Sequence, residues 1–193
     1  MKKYELTSET KIVFGHILYR IKALSSFGYV SAGDLGGFLE SEKNLSQNGD
    51  AWVYGNAEVY GDAWVYGNAE VYGNAEVYGD ARVSGNAKVS GNAEVSGNAE
   101  VYGSARVSGN AEVSKIGSIF WIGAVGSRND TATFFRCTDG VVRVTCGCFF
   151  GNLDEFAKKV RKTHGDNDHA KVYMLAIEMA KIRIGDKKEK TEE

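Results

Sequence analysis

The chain of 193 residues contains no proline and only three cysteines. It also has no apolar run near the roughly 20 residues that a membrane-spanning helix needs. The N-terminal stretch MKKYELTSETK lacks the apolar segment of a signal peptide. These absences argue against a disulfide framework and a membrane partner, and they predict a cytoplasmic protein with reduced thiols. The lack of proline also leaves every backbone donor available for strand ladders.

The net charge of −2 is unevenly distributed along the chain. Residues 49–114 hold nine acidic side chains and only three basic ones, whereas residues 118–193 hold thirteen basic and eleven acidic. Nucleic-acid phosphates bind to surfaces where lysine and arginine are concentrated. The acidic segment is therefore not expected to bind nucleic acid.

A six-residue phrase, Gly-Asn/Asp-Ala-x-Val-Tyr/Ser, repeats eleven times from Gly49 to Ser114, with Ser104 in place of Asn or Asp in one unit. Alternation of small or branched residues with polar or aromatic ones predicts short strands whose Ala and Val side chains point inward. Glycine and Asx residues tolerate the backbone angles of sharp corners. A hexapeptide period is typical of a parallel β-helix, in which three units close one triangular coil of 18 residues.

The spacing Val-x-Gly-Asn-Ala-x resembles the hexapeptide motif of left-handed β-helix proteins, whose best-known members are trimeric acyltransferases. The stretch GDLGGFLESEKNLSQNGDAWVYGNA more narrowly resembles bacterial and prophage proteins with GNAxV repeats, some of which carry a transferase label. The C-terminal part is similar to a small domain of phage and prophage proteins. These resemblances imply left-handed coils, a homotrimer and a mobile-element setting.

Side chains 18 residues apart are expected to stack in columns on three flat faces. The first face carries Trp52, Glu70, Lys88 and Arg106, beside Tyr54, Tyr72, Ser90 and Ser108. The second face carries Glu58, Glu76, Glu94 and Glu112, beside Tyr60, Tyr78, Ser96 and Ser114. The third face carries Trp64, Arg82 and Glu100, beside Tyr66, Ser84 and Tyr102.

Aromatic side chains crowd the early coils, and outward aromatic patches typically mark contact surfaces. Stacked glutamates repel one another, so their column must be solvated or neutralised by a basic surface of a partner or neighbouring subunit. We therefore predict a subunit or partner interface formed by Trp52, Tyr54, Tyr60, Trp64, Tyr66, Tyr72, Tyr78, Glu58, Glu76 and Glu94. The alternative is that the tyrosines only stack on one another along the solenoid.

The predicted fold is mainly β: a left-handed parallel β-helix over residues 49–117, an N-terminal β cap over 1–48 and a C-terminal α+β domain over 118–185. A charged, disordered tail is predicted over 186–193. ILYRIKAL predicts a strand in the cap, and IFWIG, TATFFRC and VVRVTCGCFF predict three more. One helix is expected to end at Gly165, and a second to bury Val172, Leu175, Ala176, Met179 and Ala180.

The loop Gly126-Ser127-Arg128-Asn129-Asp130 is the best candidate for ligand recognition, through Ser127, Arg128 and Asn129. It places a hydroxyl, a guanidinium and an amide at a strand end, where Arg136, Arg143 or His164 would converge on an anion or carboxylate. The alternative is an ordinary surface turn. The side chains of Cys137, Cys146, Cys148, His164 and His169 are of zinc-binding types, but their spacing is too loose, so we predict no metal and no cofactor.

An acyltransferase needs a base within reach of its substrate, and residues 49–114 contain no histidine. We therefore expect no catalytic residues, and a non-enzymatic homotrimeric scaffold that displays its C-terminal domain to a protein partner, including a component of host antiviral defence. Sequestration of a small anionic ligand, such as a nucleotide, is the second hypothesis. A hexapeptide acyltransferase is the third.

Overall fold

The computed structural model describes residues 2–185. Its architecture is mainly β: a parallel β-solenoid lies between an N-terminal hairpin and a C-terminal sheet that packs against two helices. This confirms the predicted fold class. The tail predicted to be disordered lies outside the described residues. Within residues 2–185, no helix is both long enough and apolar enough to cross a membrane.

The solenoid strands are two residues long and pair in parallel with the coils above and below. They are β4 (Trp52–Val53), β5 (Glu58–Val59), β6 (Trp64–Val65), β7 (Glu70–Val71), β8 (Glu76–Val77), β9 (Arg82–Val83), β10 (Lys88–Val89), β11 (Glu94–Val95), β12 (Glu100–Val101), β13 (Arg106–Val107) and β14 (Glu112–Val113). The strand orders are β4-β7-β10-β13 on the first face, β5-β8-β11-β14 on the second and β6-β9-β12 on the third. The register matches residues 18 apart, which confirms the predicted columns.

The solenoid interior consists of the repeated alanines and valines, which are almost completely buried. The corners need glycine, because Gly85 has a φ of +67° and an added Cβ would lie 2.9 Å from the backbone of Gly103. Corner asparagines form ladders between coils, and the Asn74 amide donates to the Asn92 side chain at 3.2 Å. The repeat therefore fills the core and turns the corners with the same few residue types.

The N-terminal segment extends the second face of the solenoid. It contains β1 (Tyr4–Val13), β2 (His16–Ala23) and β3 (Leu35–Leu39). Strand β2 is the predicted ILYRIKAL strand, and it forms a hairpin with β1, which the sequence pattern did not predict. Strand β3 pairs antiparallel with β2 and parallel with β5, so the hairpin joins a seven-stranded sheet.

Two buried polar side chains close the edge of the first coil. The Lys3 ammonium donates to the carbonyls of Gly49 and Ala51, at 3.2 and 2.9 Å. The Asn44 amide donates to the carbonyls of Gly61 and Ala63, at 3.0 and 2.9 Å. Each donor satisfies carbonyls that would otherwise remain unpaired at the exposed end of the stack.

The C-terminal unit is a four-stranded antiparallel sheet with two helices. Its elements are β15 (Ile119–Val125), β16 (Asp130–Arg136), β17 (Val142–Cys146), β18 (Phe149–Asn152), α1 (Leu153–His164) and α2 (Asp168–Ile184). The run VVRVTCGCFF forms two strands rather than one, because Gly147 turns the chain with a φ of +57°. Helix α1 begins with a capping box of Asn152 and Glu155 and ends before Gly165, as predicted.

Helix α2 buries a different face from the one predicted. Ala176 and Ala180 are buried as expected, but they share the buried face with Tyr173 and Ile177. The helix is apolar on two adjacent stripes, and periodicity alone does not decide which stripe docks. Docking of the Tyr173 ring against Phe156, with centroids 5.4 Å apart, leaves the other stripe in solvent. Its members are Val172, Leu175, Met179 and Ile182.

The C-terminal sheet closes the last coil of the solenoid. The backbone N–H of Arg106 donates to the Thr133 hydroxyl at 3.0 Å, and the Thr145 hydroxyl donates to the carbonyl of Arg106 at 2.6 Å. The backbone N–H of Thr138 donates to the carbonyl of Asn110 at 3.0 Å. The unit is thus held firmly against the solenoid by bonds from several of its strands and turns.

Replacing Lys3 with methionine tests the closure of the first coil. Lys3→Met keeps the apolar stem but leaves two buried carbonyls without a donor, so the free energy of unfolding should fall by about 2 kcal/mol. Lys2→Met is the control, because Lys2 forms only an exposed ion pair with Glu42 and should change stability by less than about 1 kcal/mol. Urea unfolding measures both variants, and equal losses would contradict this role of Lys3.

Candidate functional site

A cavity of about 330 Å³ opens between the turn that joins β15 to β16, the turn that joins β17 to β18, and helix α1. It brings together three of the residues predicted to bind a ligand, Ser127, Arg128 and His164. Lys159 of α1 also lines it, although the sequence pattern did not single this residue out. The sequence signal that could have identified Lys159 was its place on the same predicted helix as His164.

The first turn is positioned by its packing against helix α2. An added Cβ at Gly126 would lie 2.1 Å from the Tyr173 hydroxyl, so only glycine allows the turn to approach this closely. The same hydroxyl donates to the carbonyl of Val125 at 3.5 Å. Burial raises the pKa of Tyr173 above its ordinary value, which keeps the phenol protonated. Ser127 and Arg128 therefore project from a fixed turn.

The cavity is cationic on two sides. Arg128 and Lys159 form no ion pair with another residue in the range 2–185. The His164 ring lies beside the rings of His169 and Tyr173, with centroids 5.6 and 5.8 Å away. One carboxylate, that of Asp130, also lines the cavity. The arrangement suits a small anion with room for a hydrogen-bond donor near Asp130.

Two of the predicted ligand residues lie elsewhere. The Arg136 guanidinium binds the carbonyls of Ile184 and Gly185 at the end of α2, the latter at 2.7 Å, and donates to Gly140 at 3.1 Å. It therefore stabilises the C-terminus of that helix instead of joining the cavity. Asn129 has a φ of +50° in the turn and does not line the cavity.

The three cysteines are in different environments. Cys137 is buried in the core where the C-terminal sheet meets the solenoid. The Cys146 thiol lies 3.7 Å from the Tyr173 hydroxyl, and burial raises its pKa. Cys148 is exposed in the turn between β17 and β18. Across residues 2–185, no three His, Cys, Asp or Glu side chains are grouped closely enough to hold a metal ion.

The chain's own N-terminal segment covers part of the predicted aromatic interface. Trp52 is 1% exposed and packs edge-on against Tyr4 and Phe27. Tyr60 is 5% exposed, and its ring lies between the rings of His16 and Tyr78. These two residues are therefore buried within one chain. Tyr54, Tyr66 and Tyr78 are half-buried, whereas Trp64 and Tyr72 remain exposed.

Residues of the same chain partly neutralise the glutamate column. The Lys11 ammonium of β1 forms an ion pair with Glu58. The Tyr60 hydroxyl donates to Glu76 at 3.2 Å, and the Tyr78 hydroxyl donates to Glu94 at 3.3 Å. Burial first, and then the neighbouring carboxylates, raise the pKa of Glu76. Repulsion therefore persists in the middle of the column.

Replacing Glu76 with glutamine should stabilise the protein near neutral pH, by up to about 1 kcal/mol. A raised folded-state pKa means that ionised Glu76 costs stability, and that the cost disappears once the pH falls below the ordinary value of 4.5. The gain in melting temperature should therefore vanish in acid. Glu100→Gln, at the same repeat position on the third face, is the control. Equal effects of the two substitutions at both pH values would contradict repulsion within the column.

Comparison with protein families supports the solenoid and reaches no further. Residues 75–91 match the family model described as YdcK Beta solenoid repeat. A search of the curated proteins gives no significant match. The match covers about one coil and includes Glu76 and Lys88 of two different columns. Together with the stacked coils of the structure, it shows that the chain is a β-solenoid repeat protein.

Proposed function

We propose that the protein is a non-enzymatic β-solenoid scaffold and binding protein, which as a homotrimer displays its C-terminal domain to a protein partner. The observation that carries the proposal is the exposed apolar row of α2. Leu175 is 65% exposed, Met179 51% and Ile182 86%, and they lie on one side of the helix. Exposed apolar rows on a docked helix are typical of surfaces that bind another protein.

The attachment of the C-terminal unit supports display in a fixed geometry. Thr133 and Thr145 bond to the last coil, and the Phe150 ring lies over the corner at Gly109. These contacts join the sheet that supports α2 to the last coil of the solenoid. A rigidly held surface loses little conformational freedom on binding, which favours affinity.

Self-association is supported by the third face of the solenoid. Trp64 stacks on Tyr66 with ring centroids 4.1 Å apart and is still 42% exposed. Such an aromatic surface suits contact with a second chain. In light scattering we expect a mass three times the 21.0 kDa of one chain. A mass equal to one chain would rule out the homotrimer and with it the display of three C-terminal domains together.

The resemblance to prophage proteins indicates what kind of partner to test. In a mobile-element setting, a host protein is the partner expected, including a component of antiviral defence. Inhibition by covering a surface of that partner requires no catalytic residue. It needs only a binding surface, for which the exposed apolar row of α2 is the candidate.

The substitutions Leu175→Asp and Ile182→Asp, made together, should abolish capture of the partner from host lysate. They place two charges in the apolar row without disturbing the buried face of α2. The double substitution Lys158→Gln and Lys162→Gln is the control, because it changes the net charge by the same amount on the exposed side of α1. Capture that survives the aspartate pair, or is lost equally in the control, would refute the proposal.

Binding of a small anion at the Arg128 cavity is a second candidate function. The observation that favours it is the meeting of Arg128, Lys159 and His164 around one opening, although they come from a turn and from helix α1. Charge-assisted hydrogen bonds from Arg128 and Lys159, with a further hydrogen bond from His164, would hold a phosphate or carboxylate. This function would operate in each chain separately and does not depend on the α2 row.

Arg128→Gln should remove any rise in melting temperature that anionic ligands cause through this cavity. A ligand that binds only the folded state stabilises it, by about 2.7 kcal/mol at a hundredfold excess over Kd. Arg183→Gln, which changes the same charge at a distant exposed position, is the control. A shift that is the same in Arg128→Gln and in the unchanged protein would exclude the cavity as the site.

A further inference from the structure

A second cationic recess lies on the first face of the solenoid, where the last coils meet the C-terminal sheet. It has a volume of about 480 Å³. The solenoid contributes Lys88, Arg106, Ser90 and Ser108 to its lining. The turn between β17 and β18 lies between the recess and the Arg128 cavity, and Gly147, Cys148 and Phe149 line both.

The recess arises from a change within the repeat. The column beside Lys88 and Arg106 holds tyrosine at the early positions, including Tyr72, but serine at Ser90 and Ser108. Coils are spaced by about 4.8 Å, so loss of two successive rings opens a gap of roughly 10 Å. The Tyr72 ring remains at one end of this gap. Phe149 and Phe150 of the C-terminal sheet close the other end.

The charge of the recess is opposite to that of the solenoid around it. Residues 49–114 contain only three basic side chains, and two of them, Lys88 and Arg106, line this one recess. No carboxylate is among the lining residues. Lys88 pairs with Glu70 at 2.8 Å. Within the described range 2–185, the guanidinium of Arg106 has neither an ion pair nor a hydrogen bond.

The walls add hydroxyl donors and aromatic surface to these charges. Ser90 and Ser108 present hydroxyls beside the two cations. Phe150 is 49% exposed and Tyr72 37%, so both rings have surface available for stacking. A phosphate has several terminal oxygens and accepts bonds from an arginine fork, an ammonium and hydroxyls at once. A flat ring attached to that phosphate would lie against the aromatic walls.

We propose that this recess binds a small organic phosphate that carries a flat ring, with the phosphate held by Arg106, Lys88 and the two serines. The site is distinct from the Arg128 cavity and does not require the α2 row. It explains why the serines and the two basic residues occur together in the same coils, in a rod that is otherwise acidic. It also gives the exposed Phe150 ring a role.

Calorimetric titration of the full chain with adenosine 5′-monophosphate tests the proposal, with inorganic phosphate and adenosine as the two half-ligands. We expect the whole nucleotide to bind more tightly than either half, because only it reaches both the cations and the rings. Arg106→Gln should raise Kd by about tenfold or more. The backbone bonds of Arg106 to Thr133 and Thr145 do not involve its side chain, so the last coil stays closed.

Two further variants test whether the nucleotide binds in the recess itself. Arg82→Gln changes the same repeat position on the third face, where Arg82 is also exposed, and should leave Kd unchanged. Ser90→Tyr restores the residue of the earlier coils, fills the gap and should abolish binding without lowering the melting temperature.

Several results would overturn the proposal. The proposal is wrong if adenosine 5′-monophosphate does not bind at millimolar concentration. It is also wrong if the Kd for this nucleotide is unchanged in both Arg106→Gln and Ser90→Tyr. Equal affinity for inorganic phosphate and the nucleotide would remove the role of the aromatic walls. Loss of nucleotide binding in Arg128→Gln, with full binding in Arg106→Gln, would overturn the proposal by placing the ligand in the Arg128 cavity. The result of the partner-capture experiment does not bear on the recess, so the two proposals can fail separately.

Discussion

The backbone hydrogen bonds between successive coils are the interaction on which the rest of the structure depends. Strands of two residues have no stability alone, so every coil requires a neighbour on each side. The first and last coils each lack one neighbour, so other groups must pair with their free backbone donors and acceptors. At the start, Lys3 and Asn44 donate to free carbonyls, and β3 continues the second face. At the end, the hydroxyls of Thr133 and Thr145 form hydrogen bonds with the backbone N–H and carbonyl of Arg106.

The same ladder fixes the surface chemistry, because it forces residues 18 apart to lie next to one another. A repeated residue becomes a column, and a change in the repeat becomes a local site. Burial is the larger cause of the raised pKa of Glu76, and retention of glutamate on the second face adds repulsion to it. Replacement of tyrosine by serine at Ser90, together with Lys88 and Arg106, produces a cationic recess on the first face. On such a scaffold, a chemically distinct local site forms where the repeat changes.

The solenoid was predictable from sequence to the level of individual columns, since one period determines the interior, the corners and the register. The burial of Trp52 and Tyr60 was not, because it depends on how the hairpin folds back over them. Periodicity predicted helix α2 but not which of its faces is buried. That face is determined by the packing of the Tyr173 ring against Phe156. Arg136 was expected at a ligand site by residue type alone, whereas proximity to the end of α2 determines its bonds. The sequence predicted a ligand-binding role for Ser127, Arg128 and His164, which line the Arg128 cavity, but not for Lys159.

The turn between β17 and β18 connects the two roles of the C-terminal unit. Thr145, just before this turn, closes the last coil, and Cys148 within it borders both the Arg128 cavity and the recess on the first face. A ligand in either place therefore contacts the element that ends the solenoid. A ligand that binds there only in the folded state would stabilise that state. Closure of the stack and both proposed ligand sites thus involve one short segment, adjacent to the repeat.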